Sequence, residues 1–248
     1  MSAAANTAGE TVRGRGLRRL LIILLALLAA HSVYRIFYPS VEWRQKTTVT
    51  IEVDGEIRSA SSVVSLNVSY GPALLPEIKP IQSRQRGEAV VLEVRAGEYL
   101  FALLVPADAM VSRYYIGELF GEATAFTRAH FLRRLPAKLQ TMRASQELPK
   151  KLYPLLVSFD DIADPKTVRR VDPDDLAASF GAGVALQSIS LEITDEKVTK
   201  GRIEQVLGWW CDYRKRRARL NGSTSIAISD NELSNNLGTG AFRIGDCT

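Results

Sequence analysis

Leu17–Tyr38, LRRLLIILLALLAAHSVYRIFY, is the stretch that decides how the rest of the chain is read. Its first half is apolar without interruption from Leu20 to Ala30, behind a positive flank of Arg13, Arg15, Arg18 and Arg19. As a helix rising about 1.5 Å per residue, the stretch is long enough to cross a bilayer core about 30 Å thick. The second half carries His31, Ser32 and Arg35. Arg35 can snorkel to the far interface, where Tyr34, Phe37, Tyr38 and Trp43 suit an aromatic belt. Ala30-His31-Ser32 has the small-residue spacing of a signal-peptidase site, so a cleaved export signal is the competing reading. A buried core helix is the third. With the positive flank held inside, residues 1–16 form a cytoplasmic tail, residues 17–38 the anchor, and the bulk of the chain lies outside the cytoplasm.

Charge narrows the partners. The 248 residues carry +5, but residues 1–38 hold five arginines and one acid, leaving 27 basic against 26 acidic side chains beyond them. Binding by counterion release needs a concentrated cationic surface, and this balance speaks against nucleic acid. The two cysteines, Cys211 and Cys247, both fall in the exported part. In an oxidising compartment such a pair is expected to form a disulfide, with two buried thiols as the alternative. Zinc is not supported, since His130 is the only histidine beyond the anchor.

The exported part reads as α+β: a transmembrane helix, a small β-rich unit over 47–105, then a mixed α+β region over 107–248. Val49, Ile51 and Val53 alternate with polar residues, Asp54-Gly55 makes a hairpin turn, and Val64, Leu66, Val68 and Tyr70 alternate again. A proline-marked loop and a charged stretch to Arg86-Gly87 follow. Strands over Ala89–Val94 and Tyr99–Val105 are joined at Ala96-Gly97. From Leu119 to Met142 apolar residues recur on one helix face, and Pro136 should kink that helix. Later come a strand at Leu155–Phe159, a short helix over Asp174–Phe180, and a strand through Ile189, Leu191 and Ile193. A helix through Ile203, Leu207, Trp210 and Tyr213 precedes closing strands at Ser225–Ser229 and Ala241–Ile244.

The densest polar constellation is Asp160, Asp161, Asp164, Asp172, Asp174 and Asp175. Six carboxylates so close could hold a hard cation such as calcium or supply an acid–base pair. Their spacing matches no calcium loop, and Asp-Pro pairs ordinarily make turns and helix caps, with Asp172-Pro173 as N-cap and N1. The expected reading is turn and cap chemistry, with no metal and no cofactor. A second constellation is the cationic helix with Arg128, Arg133, Arg134, Lys138 and Arg143, continuing to Lys150 and Lys151. It could meet anionic headgroups or an acidic partner, or simply be the solvated side of a core helix. Arg214, Lys215, Arg216, Arg217 and Arg219 follow Trp209-Trp210 in a similar way. Enzyme signatures are lacking: no phosphate-cradling glycine loop, and no histidine positioned for a triad other than His130, which sits among apolar residues.

The stretch from Phe159-Asp-Asp-Ile-Ala-Asp-Pro through Asp172-Pro-Asp-Asp to Gly181 resembles an uncharacterised family of membrane-anchored bacterial (proteobacterial) proteins of unknown function. Ile189–Thr194, Leu207-Gly208-Trp209, and the anchor followed by the Thr47–Val53 strand continue the resemblance. It implies one N-terminal membrane segment and a bacterial envelope setting, and brings no activity with it. The expectation is therefore a single-pass inner-membrane protein, N-terminus cytoplasmic and C-terminal region periplasmic, acting as a non-catalytic binding or accessory module. Its partners would be the membrane and another envelope protein. An envelope hydrolase or calcium-dependent enzyme using the Asp160–Asp175 cluster, and an adaptor or immunity-type protein using the cationic helix, are the alternatives.

Overall fold

The computed structural model describes residues 7–38, 40–70, 81–106, 145–225, 232–245 and 247. Helix α1 (Thr7–Phe37) opens the chain, and its segment Leu17–Phe37 is long and apolar enough to cross a membrane. Six consecutive large apolar residues, Leu20–Leu25, are all exposed, so the apolar surface runs round the whole helix instead of down one stripe. A helix of that kind is stable only where every face meets something apolar, and a bilayer provides that. Ser32 Oγ donates to the Leu28 carbonyl at 2.8 Å, which keeps this hydroxyl satisfied within the helix.

The chain divides into two compact units, Met1–Val41 with Val68–Gln82, and Glu42–Asn67 with Ser83–Thr248. The first contains α1, closed by the Tyr38 N–H on the Tyr34 carbonyl with their rings 4.8 Å apart. The second contains most of the β structure and the remaining short helices, so the architecture is α+β as expected.

One sheet has six strands in the order β10-β3-β2-β1-β9-β6, built from β1 (Ser40–Val53), β2 (Glu56–Tyr70), β3 (Ile81–Glu88), β6 (Gln146–Glu147), β9 (Val184–Ile193) and β10 (Arg243–Ile244). The other has the order β4-β5-β7-β8, from β4 (Val90–Arg95), β5 (Glu98–Pro106), β7 (Pro154–Phe159) and β8 (Val168–Arg170). Strands expected within 47–105 thus pair with later ones: β1 runs antiparallel to β9, and β5 to β7. Asp54 and Gly55 both have positive φ (52° and 86°), the requirement of the two-residue hairpin turn that joins β1 to β2.

Val49, Ile51 and Val53 of β1 and Ile189 and Leu191 of β9 share one core with Val90, Leu92, Leu100 and Leu156 of the second sheet. The opposite face of that second sheet presents Phe101, Leu103, Val157 and Phe159 to another core, with Ile203, Leu207, Trp210 and Phe242. Side chains alternate across a strand, so Leu100 and Ala102 fill one core while Phe101 and Leu103 fill the other. All six residues of β7 are buried, which is why PLLVSF reads as a nearly continuous apolar run.

Several elements differ from the sequence expectations. β3, IQSRQRGE, lies where a charged loop is expected, because its residues show no apolar alternation and its place between β2 and β10 is decided by its neighbours. The Ile203–Tyr213 helix is two, Arg202–Val206 and Trp210–Arg216, because Leu207 leaves helical geometry at φ −100°, ψ 79°. Helix Asp174–Phe180 shrinks to Ala177–Phe180, and the Ala241–Ile244 strand to two residues. The expected helix from Leu119 to Met142 and most of the Ser225–Ser229 strand lie outside the described residues, as do Arg128, His130, Arg133, Arg134, Lys138 and Arg143.

Candidate functional site

The six aspartates of 160–175 are each occupied locally. Asp161, Asp164 and Asp172 accept from the backbone N–H two residues on, at Ala163 (2.9 Å), Lys166 (3.0 Å) and Asp174 (2.9 Å), which makes three Asx turns. Asp175 accepts from the Ala178 N–H at 3.0 Å and so satisfies the first turn of the short helix, the role expected of Asp172. Asp160 pairs with Arg169 at 2.6 Å, and Asp174 with Lys150. Thr167 Oγ1 accepts from the Asp161 N–H at 3.0 Å and lies within hydrogen-bond distance of the Asp161 and Asp164 carbonyls, to one of which its single proton goes, so it ties the first two turns together. Among the described residues no group of three or more His, Cys, Asp or Glu could hold a metal ion.

Asp174 and Asp175 also line one wall of a cleft of about 380 Å³. Its other walls include Glu147, Lys150, Tyr153 and Val184–Gln187 on β9. Glu147 stands on β6, and Lys150, expected to continue the cationic helix, stands instead on the 3-10 turn Lys150–Leu152. Pro149 begins that turn: β6 pairs only Gln146 and Glu147 with Leu191 and Ser190, the Leu148 N–H reaches the Ile189 carbonyl at 2.8 Å, and the chain then departs. On the side facing away from β1, the Val184–Ser188 part of β9 therefore has no strand beside it among the described residues. An edge left open in this way offers unpaired main-chain donors and acceptors.

Tyr153 is 6% exposed and its ring packs into the inter-sheet core. Burial, followed by the negative charge of Glu147, pushes its phenol above the ordinary value of 10, while Lys150 works the other way. The phenol thus stays protonated as a donor at neutral pH. Asp174, hydrogen-bonded to Lys150, raises the lysine's pKa and keeps it charged. Gln187 Nε2 donates to Glu52 Oε2 on β1 at 2.7 Å. The cleft combines hydrogen-bonding side chains with an open strand edge. His31 on α1 is the one histidine among the described residues, so no Ser-His or Cys-His pair is assembled at the cleft among the described residues.

Tyr153 and Gln187 carry no sequence signature, because the cleft exists only once β9, the 150–152 turn and the 173–177 stretch converge. Trp43 and the Trp209-Trp210 pair illustrate the reverse. Trp43 is 8% exposed on β1, Trp210 is fully buried with Nε1 on the Thr239 carbonyl (3.0 Å), and Trp209 donates to Ile162 O (3.0 Å). These aromatics serve the interior instead of a belt at the membrane surface. Cys211 and Cys247 lie side by side at the edge of the aromatic core.

Comparison with protein-family models, with curated proteins and with solved structures finds no match to this chain.

Proposed function

We propose that the protein is a membrane-anchored periplasmic binding or accessory module without catalytic activity, and that an extended segment of an envelope protein docks beside β9. The observation that carries this reading is that Val184–Gln187, which line the polar cleft, have no strand on the side away from β1 among the described residues. A peptide laid along such an edge gains main-chain hydrogen bonds, while the cleft selects its alternate side chains. The exposed Ala185 and Gln187 place a small and a hydrogen-bonding side chain where those choices are made. Helix Leu17–Phe37 supplies the anchor, and the positive flank before it sets the N-terminus inside. Only Tyr38 and Pro39 separate α1 from β1, so the first strand starts at the membrane surface under this reading.

Placing a photo-crosslinking amino acid at Gln187 in the full-length protein, in its native membrane, tests the docking site. The expected result is one discrete protein adduct, lost when the same probe replaces Glu93 on the exposed side of β4. Adducts at neither position, or turnover of an envelope substrate abolished by Asp161→Asn, would overturn the reading.

A further inference from the structure

Cys211 lies on helix Trp210–Arg216, and Cys247 follows β10. The Cys247 thiol points at the Cys211 carbonyl, Sγ to O 3.7 Å, across 36 residues of sequence. Both sulfurs pack against the core of Phe101, Phe159, Trp210 and Phe242. Among the described residues β10 pairs with β3 at two positions, Arg243 with Glu88 and Ile244 with Gly87, and the Ala89 N–H adds a bond to the Phe242 carbonyl at 2.6 Å. This segment covers much, since Phe242 is fully buried and the Arg243 guanidinium lies over the Trp210 ring at 5.4 Å, paired with Glu204. A bond between the two sulfurs would close the 36-residue span between the cysteines and so remove freedom from the unfolded chain.

We infer that Cys211 and Cys247 are a disulfide-forming pair whose bond fastens β10 to helix Trp210–Arg216 and closes the β3 edge of the six-stranded sheet. The inference rests on the proposed periplasmic location only for where the bond forms in the cell. The oxidant is a disulfide-bearing thiol oxidoreductase. The Cys247 thiolate attacks one sulfur of the oxidant's disulfide, and the other sulfur leaves as a thiolate. Cys211 then attacks Cys247 Sγ, the new bond forms, and the oxidant sulfur that Cys247 had attacked departs as a thiolate. The two thiols lose two electrons, the oxidant is reduced to its dithiol, and both thiol protons end on it. Burial and the neighbouring Cys247 thiol hold the Cys211 pKa above its ordinary 9.0.

The test uses the full-length protein in detergent, reduced and then held natively in oxidised dithiothreitol, followed by acid quench, alkylation and peptide mass analysis. The expected result is one linked peptide pair containing Cys211 and Cys247, with neither thiol alkylated. The oxidised protein should melt about 5–10 °C above the reduced form, and Cys247→Ser should remove that difference. Two thiols that stay open to alkylation in the native protein, but oxidise once it is unfolded, would overturn the inference. Protein taken from cells without reductant reports on the compartment separately. A pair that links in the tube yet arrives reduced from the cell would overturn the periplasmic reading and leave this one standing.

Discussion

Replacing Glu88 by glutamine, a change that preserves size and shape, should destabilise the protein substantially. Glu88 is completely buried at the end of β3. Its two carboxylate oxygens take different partners: Oε1 accepts from the Arg202 N–H at 3.2 Å and Oε2 from the Ile203 N–H at 3.3 Å. Those N–H groups open the short helix that carries Ile203 into the aromatic core, and no helical carbonyl can serve them. Glutamine keeps one oxygen, but its NH₂ then faces the other N–H, donor against donor. One buried donor left unpaired costs about 1–3 kcal/mol, and losing the charge weakens the remaining bond, so about 2–3 kcal/mol is expected. Alanine strands both donors and opens a cavity, for about 3–5 kcal/mol. At roughly 2–4 °C per kcal/mol for a chain of this size, the glutamine variant should melt about 4–12 °C early. The assay is unfolding of the full-length protein in non-ionic detergent, followed by tryptophan fluorescence, with amide exchange read over 202–207. Faster exchange confined to that helix is the expected local signature. A glutamine variant within about 0.5 kcal/mol of the parent, the range of an ordinary surface change, would refute the bidentate role.

Other outcomes follow from the same geometry. Gly87 has φ +135°, and a Cβ there would sit 3.1 Å from both Val63 O and Val64 Cα, so Gly87→Ala should cost about 2–3 kcal/mol in a denaturant melt. Tyr153 has a folded pKa raised above the ordinary 10, chiefly by burial. The stability it contributes is complete below pH 10 and is lost as pH rises through its folded value. Tyr153→Phe should therefore extend the alkaline stability limit upward in a pH series of melts. Calcium addition or chelation should leave the melting temperature unchanged, because the aspartates of 160–175 are committed to turns, a cap and ion pairs. Asp164→Ala should instead cost about 1 kcal/mol through loss of its bond to the Lys166 N–H.

Helix Leu17–Phe37, the Asp54-Gly55 hairpin, the Ala96-Gly97 turn and the strands β4, β5 and β7 were all legible in the residues. Each rests on a local rule: an apolar run of bilayer length, positive φ at a turn, or an uninterrupted apolar strand. The aspartate cluster was legible for the same reason, since an Asx turn needs nothing beyond two residues on. What the chain alone could not disclose is everything set by distant partners. β3 is polar and becomes a strand because β2 and β10 flank it, and Glu88 is tolerable in the interior because two N–H groups 114 and 115 residues away meet it. The cleft likewise has no sequence signature: Glu147, Tyr153, Asp174 and Gln187 come together only when Pro149 turns the chain away from β9. Local backbone preference and hydrophobic period act over a few residues, whereas an open strand edge or a buried carboxylate is defined by which surfaces pack together.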